Sequence, residues 1–311
     1  MFKTIINAWK IADLRKKMLF TALIVFIFRL GAALPVPFVN ISGGLISDQN
    51  ANNFMTYLSM MTGDAFNYGT LFAMSITPYI NASIIIELLT VAIPALERLA
   101  KEGEEGRKKI STITRYSSVV LALMQSTAYY FYIRSQNYLS LDADGNKFTG
   151  FFAVLQAITI IFCYTAGASL IMWLGEQINE KGIGNGISII LFAGIVSRMP
   201  TTLYSLYSYM DKGGAYYALA PIAFVSLILM IGFIVWMDNA ERRIPVQYAK
   251  RVVGRKMYGG QNTHIPIKVN MCGVLPIIFA SSILSLPPTI QMFVTVKEGG
   301  FWAGFFKIFE T

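Results

Sequence analysis

Gly175-Glu-Gln-Ile-Asn-Glu-Lys-Gly-Ile-Gly-Asn-Gly-Ile-Ser-Ile-Ile190 lies where two long apolar runs meet, at 151–174 and 185–204. Each run approaches the roughly 20 residues that an α-helix needs to cross about 30 Å of hydrocarbon. Glycine adopts backbone conformations that other residues avoid, so the glycines of this segment allow a tight reversal between the runs. The segment therefore predicts two membrane-spanning helices joined by a short polar turn.

The composition of the whole chain also indicates a membrane protein. Of its 311 residues, 55% are hydrophobic and 14% are charged, and the mean hydropathy is +0.53. A soluble domain of this length could not cover so much apolar surface with polar groups. In lipid, a helix satisfies its backbone hydrogen bonds within one segment, whereas an open strand edge does not. We therefore predict an all-α polytopic membrane protein with seven spans, at 18–34, 70–93, 115–133, 151–174, 185–204, 217–237 and 271–293.

Basic residues are concentrated in alternate connections between these spans. The leader 1–17, the connection that contains 98–109 and the connection 238–270 are rich in Lys and Arg, whereas 35–69 contains neither. Connections of this kind stay on the cytoplasmic side of a membrane. We therefore expect a cytoplasmic N-terminus, with much of the net charge of +9 facing an anionic cytoplasmic partner or lipid headgroups.

The basic leader has two interpretations. Residues 1–17 combine apolar and basic side chains in a pattern typical of an amphipathic helix at the membrane interface. A basic leader before an apolar run also fits a cleaved signal peptide. The run at 18–34 is of span length and six more spans follow it, which favours an uncleaved first helix.

A short amphipathic segment lies between spans one and two. Phe54, Leu58 and Met61 recur at helical spacing and form one apolar stripe on a helix that is too short to cross the membrane. The segment is either a surface helix on the outer face or a re-entrant helix folded into a cavity of the protein. The residues alone leave both alternatives open.

The connection 238–270 is longer than a simple turn and contains seven basic side chains. Ile244–Tyr248 is typical of a strand, and Tyr258–His264 is typical of the turn at the tip of a hairpin. A basic loop can be a topology signal alone. Its length and turn residues favour a docking surface, for which ribosomal RNA phosphates are a suitable partner of Arg and Lys.

The sequence contains no recognisable catalytic or metal-binding motif. Its single histidine lies in a predicted turn, and Cys163 and Cys272 lack metal-type spacing. HExxH, GxSxG and phosphate-loop motifs do not occur, and the glycines at 182–186 do not match a dinucleotide site. We therefore predict no enzymatic activity, no cofactor and no metal. We expect only Arg29 and Glu87 as charges within the spans, and each lies close enough to a helix end to reach polar surroundings.

Further motifs occur in the order and at the spacing found in one protein family. They are Leu34-Pro-Val-Pro37, Ile76-Thr-Pro-Tyr-Ile-Asn-Ala-Ser-Ile-Ile-Ile86, Glu102-Gly-Glu-Glu-Gly-Arg-Lys-Lys109, the segment 175–190 and Thr263-His-Ile-Pro-Ile-Lys-Val-Asn-Met271. Through them the chain resembles the SecY family, the central subunits of bacterial protein-conducting channels. The resemblance runs from the first residues to the last and covers the first seven of the family's ten spans.

The resemblance implies an hourglass-shaped pore made of two inverted halves, here 18–204 and an incomplete second half at 217–311. The constriction of the pore is implied at Ile76, Ile80, Leu191 and Ile278. A collar of branched aliphatic side chains can close around a peptide and exclude ions by dewetting. Without the resemblance, packing or contact with lipid would be the better explanation of these residues.

The resemblance also assigns roles to segments around the pore. Segment 52–68, with the apolar stripe described above, is implied to be a plug that fills the outer funnel. Spans two and seven are implied to form a lateral gate, with Pro78 weakening the helix of span two. A polar contact across the gate is implied for Asn81, Gln125 and Ser282. Docking of the ribosome and of the SecA motor is implied for Arg107, Lys108, Lys109, Lys250, Arg251, Arg255 and Lys256.

The family's biology implies partners and a location. The partners are the small subunits SecE and SecG, the SecA motor, the ribosome, signal sequences, nascent polypeptides and membrane lipids. The location is the bacterial plasma membrane, where the chain provides a passive path for unfolded polypeptide and a lateral exit for helices. A secondary transporter of a small solute is the alternative class, because transporters also use broken helices and inverted repeats. A scaffold for membrane-protein assembly is a third.

Overall fold

The computed structural model describes residues 9–41, 43–45, 53–140, 148, 150–211, 216–246, 251–253, 256–258, 263–270, 273 and 280. Within these ranges the chain is mostly helical, and its β-strands are confined to the connection after the last described helix. The prediction of a helical fold is confirmed at this level.

Nine α-helices occur among the described residues. In chain order they are α1 Ala12–Ala33, α2 Asn53–Thr62, α3 Thr77–Ala92, α4 Pro94–Lys101, α5 Glu104–Ser135, α6 Phe151–Lys181, α7 Gly186–Ser197, α8 Met199–Asp211 and α9 Tyr216–Asp238.

Prolines determine several of these helix ends. Proline lacks an N–H group and its ring clashes with the carbonyl four residues earlier, so it is tolerated in the first turn of a helix and ends a preceding one. Pro78 lies in the first turn of α3 and Pro94 in the first turn of α4. Pro200 lies in the first turn of α8, directly after the break that ends α7. α1 ends at Ala33, shortly before Pro35.

Span two differs from its prediction as one helix over 70–93. Thr70 forms an isolated β-bridge with Pro35, residues 71–76 form consecutive turns, and helix begins only at Thr77. Ser75 has a left-handed φ of 47°, a conformation that interrupts any right-handed helix. Pro78 therefore starts a helix and does not weaken one. At its other end α3 meets α4 at a bend of 100°.

Helix α5 extends well beyond the predicted span 115–133, because it begins at Glu104. Gly103 precedes it with a φ of 80°, and two glutamates in the first turn interact favourably with the helix dipole. Arg107, Lys108 and Lys109 therefore lie on the first turns of a helix, although the sequence placed them in a loop.

Three helical stretches among the described residues are long and apolar enough to cross a membrane: Phe151–Lys181, Gly186–Asp211 and Tyr217–Asp238. The bent pair of α3 and α4 makes a fourth if the two are one span. α1 carries several basic side chains, and α5 begins with a charged turn, so their composition alone does not identify them as spans. The structure thus supports a multi-pass membrane protein. The count of seven spans stays a prediction, and most of 271–293 lies outside the described residues.

Two small antiparallel strand pairs occur in the described part of the connection after α9. Strands β1 (Glu241–Val246) and β4 (Thr263–Lys268) pair with each other, as do β2 (Arg251–Val253) and β3 (Lys256–Tyr258). The predicted strand near 244 is present. The predicted turn at 258–264 is not the tip of the connection, because Tyr258 ends β3 and Thr263 begins β4; the innermost pair is Val253 with Lys256.

The described residues divide into two compact units, one up to Pro200 and the other over Thr201–Ala280. In the first unit α5 packs against α3 and α6, α1 packs against α6 and α7, and α2 packs against α7. Two buried clusters form the core of this unit, one around Phe66, Tyr129 and Tyr164 and the other around Ile76 and Ile190.

Candidate functional site

Asparagine side chains and glycines fix the turn between α6 and α7. Asn185 caps α7, since its Oδ1 accepts a hydrogen bond from the N–H of Ile187 at 3.0 Å. Asn179 Oδ1 accepts from the N–H of Gly186 at 2.7 Å. A Cβ on Gly186 would lie 2.0 Å from the carbonyl oxygen of Gly175, so the two helices meet backbone to backbone. The glycines and asparagines of this motif are explained by this close crossing.

A threonine on α1 ties the first helix to the same turn. Thr21 Oγ1 accepts a hydrogen bond from the N–H of Ile183 at 3.1 Å. A Cβ on Gly182 would lie 2.7 Å from that hydroxyl oxygen, so glycine is needed for this approach. The turn therefore holds α1, α6 and α7 together at one end of the first unit.

A non-helical segment, Gly63–Ile76, runs through the interior of the first unit between α2 and α3; we call it the connecting segment. Its carbonyl groups would be costly to bury without partners. The hydroxyl of Tyr129 donates to the carbonyl of Phe66, and the hydroxyl of Tyr164 donates to the carbonyl of Gly69 at 3.0 Å. Both tyrosines are almost fully buried. These hydrogen bonds allow irregular backbone to lie deep in the helical bundle.

Two glycines let neighbouring helices approach the connecting segment. A Cβ on Gly167 of α6 would lie 2.2 Å from the carbonyl oxygen of Leu71. A Cβ on Gly31 of α1 would lie 2.1 Å from the ring of Phe72. The segment is therefore packed on two sides at distances that any larger residue would disturb.

Three of the four predicted constriction residues belong to one hydrophobic cluster, which we call the aliphatic cluster. Ile76 is 1% exposed and packs in it with residues of α1, α6 and α7. Ile80 and Leu191 are partly buried and pack against the same cluster. Ile278 lies outside the described residues. The structure thus brings together 76, 80 and 191, with Ile76 held in the interior and the other two at its edge.

The cluster is completed by Phe20, Ile24, Phe28, Ala32, Ala65, Leu71, Phe72, Tyr79, Ile171, Leu174, Ile178, Ile187, Ile189, Ile190 and Ala193. Ala65 is the member that matters for the short helix α2, because it follows that helix by only three residues. Its side chain is 2% exposed. The end of the predicted plug segment therefore packs into the same apolar cluster as the predicted constriction residues.

Helix α2 itself is packed inward at its C-terminal end. Ser59 and Thr62 are 2% and 1% exposed, which favours the re-entrant alternative for this helix over a surface helix. Met61 is partly buried. The side chains of Phe54 and Leu58, the other members of the predicted stripe, lie outside the described residues.

The predicted gate residues are described only in part. Asn81 is 5% exposed, and within the described part of the chain its Nδ2 has no hydrogen-bond partner. Gln125 is partly buried on α5, and Ser282 lies outside the described residues. The hydroxyls of Ser75 and Ser126 are likewise buried and unpaired in the described ranges, which the sequence did not indicate.

The predicted docking residues fall in two places. Arg107, Lys108 and Lys109 are exposed on the first turns of α5, and Lys109 Nζ lies 3.6 Å from a carboxylate oxygen of Glu102. In the hairpin connection, Lys250 and Arg255 lie outside the described residues. The backbones of Arg251 and Lys256 belong to β2 and β3, and their side chains lie outside the described part.

Charged contacts within the first unit were only partly expected. Arg29 donates through Nη1 to the carbonyl of Gly63 at 3.4 Å, and Glu87 is exposed. Sequence reasoning missed the ion pair between Arg198 Nε and Asp64 Oδ2, at 2.9 Å. Arg198 lies inside the predicted span 185–204, so a full search for charges within spans would have found it. Among the described residues no group of three or more His, Cys, Asp or Glu side chains is placed to hold a metal ion.

Comparison with known proteins identifies relatives over almost the whole chain. The family model of SecY matches residues 70–310. A curated relative is the protein translocase subunit SecY of Streptomyces scabiei, which is 41% identical over 310 residues, covering 99% of this chain and 70% of that protein.

Two solved structures share the fold. One is of a SecY protein, described as having a plug domain that stabilises the closed state of the translocation channel and maintains a membrane seal. It is 17% identical with a TM-score of 0.59 and covers 91% of this chain and 58% of its own. The other is Sec61 in a canine ribosome–channel complex from the endoplasmic reticulum, 18% identical with a TM-score of 0.59, covering 91% and 59%. The chain thus spans less than two thirds of these solved chains, and at such identities the likeness concerns the fold.

Proposed function

Because this chain belongs to the SecY family, we propose that it lines a protein-conducting channel through which unfolded polypeptide crosses a membrane. The observation that supports this most directly is the aliphatic cluster. It combines Ile76, Ile80 and Leu191, from two different helical elements, with Ala65 at the end of the plug segment. An apolar collar and a re-entrant segment packed against it are what a closed, sealed pore requires.

Sealing by this cluster needs no chemistry. A narrow apolar passage excludes water and ions, because a hydrated ion would lose its shell without finding polar replacements. Side chains of isoleucine and leucine can part around a passing peptide and close again. The chain is therefore a passive path, and the energy for movement comes from translation or from an ATP-driven motor.

The buried amide of Asn81 supports a role at a lateral gate. Leaving a buried donor unpaired costs about 1–3 kcal/mol, and Nδ2 of Asn81 has no partner in the described part of the chain. A polar residue of span seven, such as Ser282, would supply the missing acceptor in a closed gate. Gln125 extends this polar edge, and opening it would give signal sequences and membrane helices access to lipid.

Basic residues of two separate segments are the proposed docking sites. Arg107, Lys108 and Lys109 are exposed on the first turns of α5, and Lys250, Arg251, Arg255 and Lys256 belong to the connection 238–270. Charge density of this kind binds RNA phosphate or acidic protein surfaces and weakens with salt. The ribosome and the SecA motor are the proposed partners. Reversing the charges at 107–109 should weaken ribosome binding, whereas a mutant that binds with unchanged affinity would reject this surface.

We also propose an assembly and a location by analogy with the family. We place the chain in the bacterial plasma membrane with its N-terminus, 1–17, at the cytoplasmic interface. Residues 18–204 form the first channel half and 217–311 belong to the second. SecE and SecG are the proposed small subunits of the complex, and signal sequences, nascent chains and lipids are its ligands.

Crosslinking tests the proposed function against a solute transporter. A secretory polypeptide stalled in transit should crosslink to cysteines introduced as Ile80→Cys and Leu191→Cys in the assembled translocase. The control is Phe162→Cys, since Phe162 is 61% exposed on α6 and lies outside the aliphatic cluster. Adducts at 80 and 191 but not at 162 support the channel. No adduct at 80 or 191 rejects it and leaves a carrier of small solutes as the better assignment.

A further inference from the structure

The C-terminal end of α2 is a backbone motif that requires glycine. The N–H of Asp64 donates to the carbonyl of Ser59 at 3.0 Å, and the N–H of Gly63 donates to that of Met60 at 3.4 Å. This pair of bonds is the Schellman motif, in which the residue after the helix adopts a left-handed conformation. Gly63 does so with a φ of 63°, and Asp64 follows with a φ of 71°. The motif turns the chain sharply and brings the Asp64 carboxylate to the end of the helix.

The same turn is pressed against α7. A Cβ on Gly63 would lie 2.6 Å from Ser197 Oγ and 2.7 Å from the carbonyl oxygen of Gly194. In return, a Cβ on Gly194 would lie 2.9 Å from the carbonyl oxygen of Met61. Small residues on both sides therefore let α2 and α7 touch through their backbones, as in close helix packing within membranes.

Charged groups stabilise this contact between α2 and α7. Asp64 Oδ2 lies 2.9 Å from Arg198 Nε at the end of α7, and Asp64 Oδ1 accepts from Ser59 Oγ at 2.9 Å. The side chains of Asp64 and Arg198 are only 24% and 29% exposed, so water screens the pair less than it screens an exposed one. Arg29 of α1 also contacts this turn, because it donates a hydrogen bond to the carbonyl of Gly63.

We propose that Asp64 and Arg198 are positioning residues that latch α2 onto α7 and thereby set how readily the channel opens. This rests on the proposed function, because α2 must be the element that leaves when polypeptide enters. Displacing α2 requires the carboxylate and the guanidinium to separate, in addition to loss of the glycine contacts, of the Arg29 bond and of the burial of Ala65. A chain without the pair would hold α2 in the same place but release it more often.

The first test measures release of α2 without any translocation. Ala65, 2% exposed, is replaced by cysteine in a protein whose native cysteines are removed, and its reaction with a water-soluble maleimide is followed in detergent. We expect Asp64→Asn and Arg198→Gln each to raise the labelling rate about three- to tenfold. Because both remove the same interaction, the double variant should label no faster than the more reactive single one.

A matched control removes an ion pair whose two residues belong to neither α2 nor α7. Lys101 Nζ lies 2.6 Å from Glu97 Oε1 on the exposed helix α4, and Lys101→Gln should leave labelling unchanged. The latch is rejected if Asp64→Asn labels no faster than Lys101→Gln, or if the effects at 64 and 198 simply multiply.

The second test asks whether the latch acts on opening. Export of a reporter with a defective signal sequence should rise about threefold or more in Asp64→Asn and in Arg198→Gln, and not in Lys101→Gln. Faster labelling without increased export would overturn the role in opening while leaving the latch itself in place. Failure of the proposed function would be recognised separately, by absence of crosslinks to the stalled polypeptide at 80 and 191.

Discussion

The substitution Gly167→Ala should destabilise the first unit by forcing α6 away from the connecting segment. The added Cβ would lie 2.2 Å from the carbonyl oxygen of Leu71 and 3.1 Å from its carbonyl carbon. Ordinary van der Waals contact begins near 3.4 Å, so the carbonyl must move by roughly 1 Å. That atom belongs to the backbone and cannot rotate aside as a flexible side chain would.

The expected cost follows from the packing around that carbonyl. Overpacking a core by one methyl group typically costs about 1–3 kcal/mol, and a backbone obstacle places this case towards the upper end. The N–H of Leu71 also donates to the carbonyl of Leu34 at 2.9 Å, so a shift of the segment strains that bond as well. For a unit of this size, each 1 kcal/mol lowers the Tm by roughly 2–4 °C. We therefore expect the Tm to fall by about 4–12 °C.

Thermal unfolding of the purified protein in detergent measures this effect. Gly232→Ala is the matched control, because Gly232 also lies inside a helix and a Cβ there would meet nothing within 4 Å. Alanine is the better helix former by about 1 kcal/mol, so the control should be as stable as the parent or slightly more stable. A Gly167→Ala protein with a Tm equal to that of Gly232→Ala would refute the close approach of α6 to the connecting segment.

Three further substitutions test other contacts of the first unit. Tyr164→Phe removes the hydroxyl that donates to the carbonyl of Gly69 and should lower the free energy of unfolding by about 1–2 kcal/mol. Tyr204→Phe is the control, because that side chain is 75% exposed, and it should leave stability unchanged. Equal Tm values for the two variants would reject a structural role for the buried hydroxyl. Asn185→Ala removes the cap of α7 and should cost about 0.5–2 kcal/mol in denaturant unfolding, and an unchanged midpoint would argue against the cap. Asn81→Leu replaces a buried amide whose Nδ2 is unpaired in the described part of the chain; we expect altered tolerance of defective signal sequences in an export assay, and unchanged tolerance would remove Asn81 from the gate.

Apolar run length and glycine placement were enough to predict most of the helical framework. The turn at 175–190 joins α6 and α7 as expected, because short-range rules govern both the runs and the reversal. The boundary of span two was not predictable in the same way. Composition makes 70–76 look like the start of a span, but the left-handed Ser75 interrupts any helix there. The buried Tyr129 and Tyr164 hydroxyls satisfy carbonyls of the irregular backbone just before it, at Phe66 and Gly69.

The family motifs were enough to predict the constriction residues of the candidate site. Contacts that only the tertiary structure reveals were missed. Ile76, Ile80 and Leu191 were named from the resemblance and do meet in one cluster, although their part in a pore stays a prediction. The pairing of Asp64 with Arg198 joins residues far apart in sequence, so no local pattern identifies it. Its only signal in the sequence is an arginine inside an apolar run, which marks a partner without saying where that partner lies.

Ion conductance of the assembled channel in a planar bilayer tests the seal most directly. Ile80→Ser combined with Leu191→Ser makes the edge of the aliphatic cluster polar, while Phe162→Ser alters an exposed position outside it. We predict measurable ion leakage through the resting double variant and none through the Phe162→Ser control. A double variant that remains as tight as the parent would contradict the claim that this cluster closes the path.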